Sequence, residues 1–274
     1  MRIERYIVIE QSIVIIVSSS LSGKEGRRRN MLKGILFIAS IMLVAVSVNA
    51  QGKFATDTIR TAAGDLKITF IGHGSLFFTF KEKIIQIDPY GALTDYSKLP
   101  KADIILITHD HPDHFDLPVI ALLRTKDTAL VLTKSCAEKV TGGIVMNNGD
   151  IKIVQGLKIE AVPAYNIVHK RGDGQPFHPR GIGNGYIVTF GDKRVYIAGD
   201  TENIPEMKTL ENIDIAFLPM NLPYTMTPEM VADAAKAFKP AILYPYHYGD
   251  TDTEKLATAL KDVKGIEVRI RNMK

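Results

Sequence analysis

Between Ala102 and Phe115 the chain passes from an apolar run, Ile104-Ile105-Leu106-Ile107, straight into a turn. That turn, His109-Asp110-His111-Pro112-Asp113-His114, holds three histidines and two aspartates in six positions. A continuous β-branched and aliphatic run reads as a buried strand, and α/β sheets place their chemistry at the ends of such strands. Imidazole nitrogen and carboxylate oxygen are donors for zinc and similar divalent ions. His109 and His111 are positioned to point at one centre, and Asp113 and His114 at a second one nearby.

The rest of the chain supplies sheets for such a strand to join. Lys67–Ile71, Leu76–Phe80, Ile84–Ile87, Ala129–Thr133, Ile151–Pro163, Tyr186–Ile197, Ile215–Leu218, Ala241–Tyr246 and Ile266–Ile270 read as strands from their β-branched content and Gly/Pro/Asp punctuation. Gly191-Asp192 is a hairpin turn. Helical patterning lies at Leu117–Arg124, at Pro228–Phe238 behind the N-cap Thr227, and at Thr253–Leu260. Strands in two groups, each followed by helices, predict two facing mixed sheets with helices outside, an α/β class fold. No internal repeat is evident. Asn166–Gly185 has no regular pattern, and a loop of that length in a compact domain is usually functional.

Residues 1–50 read separately. Met31-Leu32-Lys33, the uncharged Gly34–Val48 and Val48-Asn49-Ala50 have the form of a basic start, an apolar core and a small-x-small cleavage site. The apolar stretch is shorter than the ~20 residues that span a bilayer. The expectation is an upstream extension over 1–30, a signal peptide over 31–50, a linker over 51–65 and one domain over 66–274. Export to the periplasm or medium follows, with an uncleaved anchor at 34–48 as the alternative. The first fifty residues carry seven Lys/Arg and three Asp/Glu of the chain's 34 and 30, so the two signs balance from residue 51 onward. A neutral body makes nucleic acid an improbable partner. Cys136 is the only cysteine, so no intrachain disulfide forms, and no Gly-x-Ser-x-Gly turn supports a nucleophilic serine.

His109-x-His111-x-Asp113-His114 resembles the HxHxDH motif of the metallo-β-lactamase superfamily. Gly72-His73-Gly74-Ser75 and Ile87-Asp88-Pro89 are similar to turns of its ascorbate-6-phosphate lactonase-like branch. The resemblance implies an αββα four-layer sandwich holding one or two divalent ions, with Asp200 of Ala198-Gly199-Asp200-Thr201 as a bridging ligand. His247 of Tyr246-His247-Tyr248 is then the final ligand, and Asp113 also serves as the catalytic acceptor of a proton. Two Zn²⁺ per chain are expected, with Mn²⁺ or Fe²⁺ compatible with mixed His/Asp ligation. Asn166 stands where the family supplies a further histidine, which leaves Asn166, His169 and His178 as candidates to complete the set, His178 preferred. Asp88 is read as a structural acceptor that holds the ligand turn. His73, Arg180 and Tyr224 are candidates to contact a small-molecule substrate, and Lys170, Arg171 and Arg180 would suit an anionic one. The implied activity is metal-dependent hydrolysis of an ester, lactone or other small-molecule bond. A small phosphodiester or phospholipid, or metal binding without turnover, are the alternatives.

Overall fold

The computed structural model describes residues 54–274. The expected extension 1–30 and signal segment 31–50 lie outside the described residues. Fourteen strands form two seven-stranded sheets. The first sheet holds β1 (Thr56–Thr61), β2 (Gly64–Gly72), β3 (Ser75–Phe80), β4 (Lys83–Ile87), β5 (Ile104–Leu106), β6 (Ala129–Leu132) and β7 (Gly143–Val145), side by side in chain order. The second holds β8 (Ile151–Val154), β9 (Leu157–Ala164), β10 (Gly183–Phe190), β11 (Lys193–Ile197), β12 (Ile215–Pro219), β13 (Ile242–Tyr246) and β14 (Glu267–Val268), again in order. In each sheet the first four strands pair antiparallel and the last three are added parallel. The two halves thus share one topology although no sequence repeat announces it.

Strand alternation sorts the side chains into layers. Leu76 and Phe78 of β3 and Ile104 and Leu106 of β5 turn to the core shared with the second sheet, where Phe78 packs on Phe190 and Phe217. The odd-numbered partners Phe77 and Ile105 turn outward onto Val119, Ile120 and Leu123 of α1 (Leu117–Leu123). Cys136, in the short α2 (Lys134–Ala137), is buried in that outer layer, where burial pushes its thiol up to about 11. An inert packing residue is what that environment makes. The second sheet is covered by α3 (Pro228–Phe238), capped by Thr227 as its sequence foretells, and α4 (Thr253–Leu260). Helices on one outer face of each sheet complete the four layers.

Two expectations need correction. Part of the supposed linker 51–65 is β1, paired with β2 over its whole length. As a half-exposed edge strand with a single aliphatic residue, Ile59, it has no local signal strong enough to stand out. The last strand, expected over Ile266–Ile270, pairs only at Glu267–Val268. Beyond it Arg269 and Arg271 turn to Asp57 of β1, at 3.5 and 2.7 Å.

Candidate metal centre

The candidate residues follow the C-terminal ends of strands in both sheets. His109 follows β5, Asp88 follows β4, Asp200 follows β11, His247 follows β13, and His73 occupies the β2–β3 turn. His73, Asp88 and His247 have φ values of 51°, 42° and 45°, a region that non-glycine residues enter at a cost and mostly at functional sites. Two glycines make room. A Cβ on Gly74 would lie 2.7 Å from the His114 ring, and one on Gly199 (φ +65°) would lie 2.9 Å from the Asn184 carbonyl and 3.0 Å from Thr108.

Three overlapping groups of ligand atoms result, each within 4.8 Å: His109, His111 and His178; His109, His114 and Asp200; and His73, Asp113, His114 and His247. Asp200 is the hub. Its Oδ2 lies 3.2 Å from His178 Nε2, 3.6 Å from His247 Nε2 and 4.0 Å from His109 Nε2, while Oδ1 lies 3.6 Å from His114 Nε2. Asp113 Oδ2 is 3.7 Å from His247 Nε2, 3.8 Å from His114 Nε2 and 2.9 Å from His73 Nε2.

The backing atoms show which nitrogens are free. Buried Asp88 accepts from Thr108 N at 2.8 Å and Thr108 Oγ1 at 2.6 Å, and its Oδ2 lies 2.9 Å from His114 Nδ1. Having donated to Asp88, the Thr108 hydroxyl is left to accept from His109 Nδ1 at 3.0 Å. Both rings therefore carry their Nδ1 protons backward and aim Nε2 at Asp200. The buried Nε2 atoms of His109, His114 and His247 and Oδ1 of Asp200 have no hydrogen-bond partner. Buried polar atoms rarely go unpaired. Four that converge on one spot, all with metal-ligand chemistry, fit a divalent cation.

His178 joins this cluster; His169 and Asn166 do not. Asn166 instead orients the histidine that does. Its Oδ1 accepts from His178 Nδ1 at 2.6 Å, and its Nδ2 donates to Glu202 Oε1 at 3.1 Å and to the Tyr224 carbonyl at 2.9 Å. With two acceptors on one side, the amide can face His178 only with its oxygen, which fixes the Nδ1 proton and leaves Nε2 toward Asp200. Glu202, fully buried, accepts the backbone N–H groups of Ile167, Val168 and His169, each at 2.7 Å, and His169 Nδ1 lies 2.7 Å from its Oε1. Glu202 belongs to no motif in the sequence. An acid two residues after Asp200 was the available signal, and its burial could not be read from the chain. Asn166→Ala is expected to weaken metal binding by roughly 10–100-fold, the usual cost of losing a group that orients a ligand. A metal titration that leaves affinity unchanged in this variant refutes the role.

Electrostatics follow the same geometry. Burial, reinforced by the nearby His114, holds His109 well below the ordinary imidazole value, and burial with His178 lowers His111. Burial disfavours the charged form of Asp200, but His247, His114 and His178 outweigh it and keep the carboxyl ionised. Asp113 is likewise held far below the carboxylate range, against burial, by His247 and His73. Burial opposes the charge on His114 as well, yet Asp200, Asp88 and Asp113 raise it from 6.5 to about 9. In the metal-free chain His114 is thus protonated at neutral pH, and a cation at Nε2 must displace that proton. The stabilisation from this charged ring is complete below about 6.5 and fades as pH rises through about 9. We expect metal loading at pH 7 to release protons, seen as calorimetric heats that differ between buffers of different ionisation enthalpy. Equal heats would contradict the assignment.

Beside the cluster is a cavity of ≈ 30 Å³ lined by His109, Asp110, His111, His178, Asp200 and Ile182 among others. Arg180 and Tyr224, expected at the substrate, do not line it. Arg180 Nη2 pairs with Glu206 at 2.7 Å and its guanidinium lies over the Tyr165 ring, while Tyr224 packs edge-on against Phe177. A flexible cation settles on the nearest buried-edge carboxylate, which local sequence does not reveal.

A model of the beta-lactamase superfamily domain matches residues 67–247. A UPF0173 metal-dependent hydrolase of Thermococcus onnurineus is 35% identical over 201 residues, 67% of this chain and 84% of that protein. One from Pelotomaculum thermopropionicum is 29% identical over 224 residues, 75% of this chain and 96% of its own. Among solved structures, a candidate metal-dependent hydrolase from Parabacteroides distasonis is 52% identical, with a TM-score of 0.77 over 81% of this chain and 100% of that one. Igni18, a metallo hydrolase from Ignicoccus hospitalis, is 26% identical with a TM-score of 0.63, covering 76% of this chain and 96% of its own. With these matches spanning the strands that carry the histidine and aspartate cluster, the chain belongs to the metallo-β-lactamase superfamily and, within it, to the metal-dependent hydrolases.

Proposed function

We propose that the protein hydrolyses a small-molecule ester or lactone with the help of two divalent ions, Zn²⁺ by preference, Mn²⁺ or Fe²⁺ also suiting the donors. The observation that carries this reading is the convergence of unpartnered His109, His114 and His247 nitrogens on Asp200. His109, His111 and His178 would hold one ion, Asp113, His114 and His247 the other, and Asp200 would lie between them. Divalent ions so held would make water a far stronger acid, ionised near neutral pH, and would polarise a carbonyl oxygen.

The chain's own residues then have distinct tasks. Asp113, ionised and partly exposed, accepts the proton of the attacking water at a carboxylate oxygen, and His73 Nε2, 2.9 Å away, orients that carboxylate. Asn166 and Thr108 hold two of the histidines in the tautomer with Nε2 free.

Turnover of a lactone and p-nitrophenyl ester panel should exceed that of bis-p-nitrophenyl phosphate, vanish on chelation and return with zinc. Metal retained without turnover of any member would instead favour a metal-binding protein without catalysis. We also propose export through 31–50; its support is the sequence pattern alone, and among the described residues no helix is long and apolar enough to cross a membrane.

A further inference from the structure

A cavity of ≈ 30 Å³ admits water and ions but no substrate body. Whatever carries the scissile bond must lie against the rim. The loop 166–182 supplies His178, Pro179 and Ile182 to the cavity wall, and the loop 221–225 is joined to it where Asn166 Nδ2 donates to the Tyr224 carbonyl; the surface of these two loops is that rim. Nine large apolar side chains are exposed among the described residues, and five of them, Ile167, Val168, Ile182, Leu222 and Tyr224, belong to these two loops. They are 42–63% exposed. Ile182 also lines the cavity itself. Tyr224 packs on Phe177, the neighbour of His178, with ring centroids 5.0 Å apart.

Of the cations on the same loops, Lys170 is exposed and two arginines are engaged. Arg171 donates to the Phe177 carbonyl and Arg180 pairs with Glu206. Asp110, in the cavity wall, is met by Lys139 at 2.8 Å. Five exposed apolar side chains on two joined loops beside the proposed hydrolytic centre form a surface suited to ligand contact, with Ile182 at the cavity itself.

We infer that this rim binds the apolar, uncharged acyl body of the substrate, with Ile182 at the point where acyl chain meets reacting carbonyl. The inference rests on the hydrolase reading above. Its test is kcat/KM of the zinc-loaded protein on p-nitrophenyl acetate, butyrate, hexanoate and octanoate. The expected rise is roughly two- to fourfold per added methylene, the scale for burying one CH₂ against such a surface. Ile182→Asn and Tyr224→Ser should each lower the octanoate-to-acetate ratio. A flat series, or preference for a succinyl ester over butyrate, overturns the apolar class while leaving hydrolysis intact. If no ester is turned over, the hydrolase reading falls instead, and calorimetric titration with N-octylacetamide decides the rim: binding that weakens in Ile182→Asn supports it, and no binding overturns it.

Discussion

Asp200→Ala should lose turnover by on the order of 10³-fold or more, beyond the scale of removing a single preorganised electrostatic contact, because one carboxylate faces four histidines. Its two oxygens lie 3.2–4.0 Å from His178, His247, His114 and His109. Without it the two halves of the donor set lose their shared anion, and four imidazoles face one another with no negative charge between them. Metal content should fall with activity. The metal-free fold should lose stability as well, because Asp200 leads the carboxylates that sustain the charge on buried His114 and its removal leaves that charge to Asp88 and Asp113 alone. Elemental analysis, turnover and urea unfolding of this variant separate the outcomes. A variant that keeps both metal and rate would show that Asp200 is not a shared ligand.

Asp88→Ala should act on stability as well as activity. Asp88 is fully buried and receives Thr108 N, Thr108 Oγ1 and the His114 ring, and its backbone carbonyl accepts from Ser75 Oγ. Truncation leaves the Thr108 N–H and hydroxyl in a dry site, though not Ser75, whose acceptor is backbone, and removes the partner of a charged His114. Stranding a buried charge or hydrogen-bond donors in this way costs about 3–5 kcal/mol. That is a large share of the 5–15 kcal/mol typical of a domain. Metal binding should weaken too, since both His114 and, through Thr108, His109 lose their orientation. Urea unfolding of the metal-free protein at pH 7 provides the measurement, and a loss under about 1 kcal/mol would contradict the account. Together the two variants distinguish a carboxylate that faces the ligand nitrogens from one that holds the Thr108 donors and the back of the His114 ring.

Local spacing made the first part of the site legible. His109, His111, Asp113 and His114 fall within one turn after an apolar strand, so their neighbourhood is set by covalent proximity. Asp200 and His247 were placed by resemblance, each directly after a strand. Asn166 read as a missing ligand, and only its contact with His178 shows that it orients the histidine brought in from twelve residues further along. Glu202 was illegible for a related reason. A carboxylate among polar residues looks solvated until the fold closes three backbone amides over it.

Alternation of apolar residues, Gly/Pro/Asp punctuation and helix caps were enough to determine most of the strands, the helices α1, α3 and α4 and the two-sheet α/β class, because these depend on neighbours a few residues away. Only tertiary structure decided that β1 and β7 are strands, that the two halves share one topology, that His178 reaches the cluster and that Arg180 turns to Glu206. Each of these depends on a partner distant along the chain, whose position exists only after the sheets have packed and exchanged water for one another's side chains.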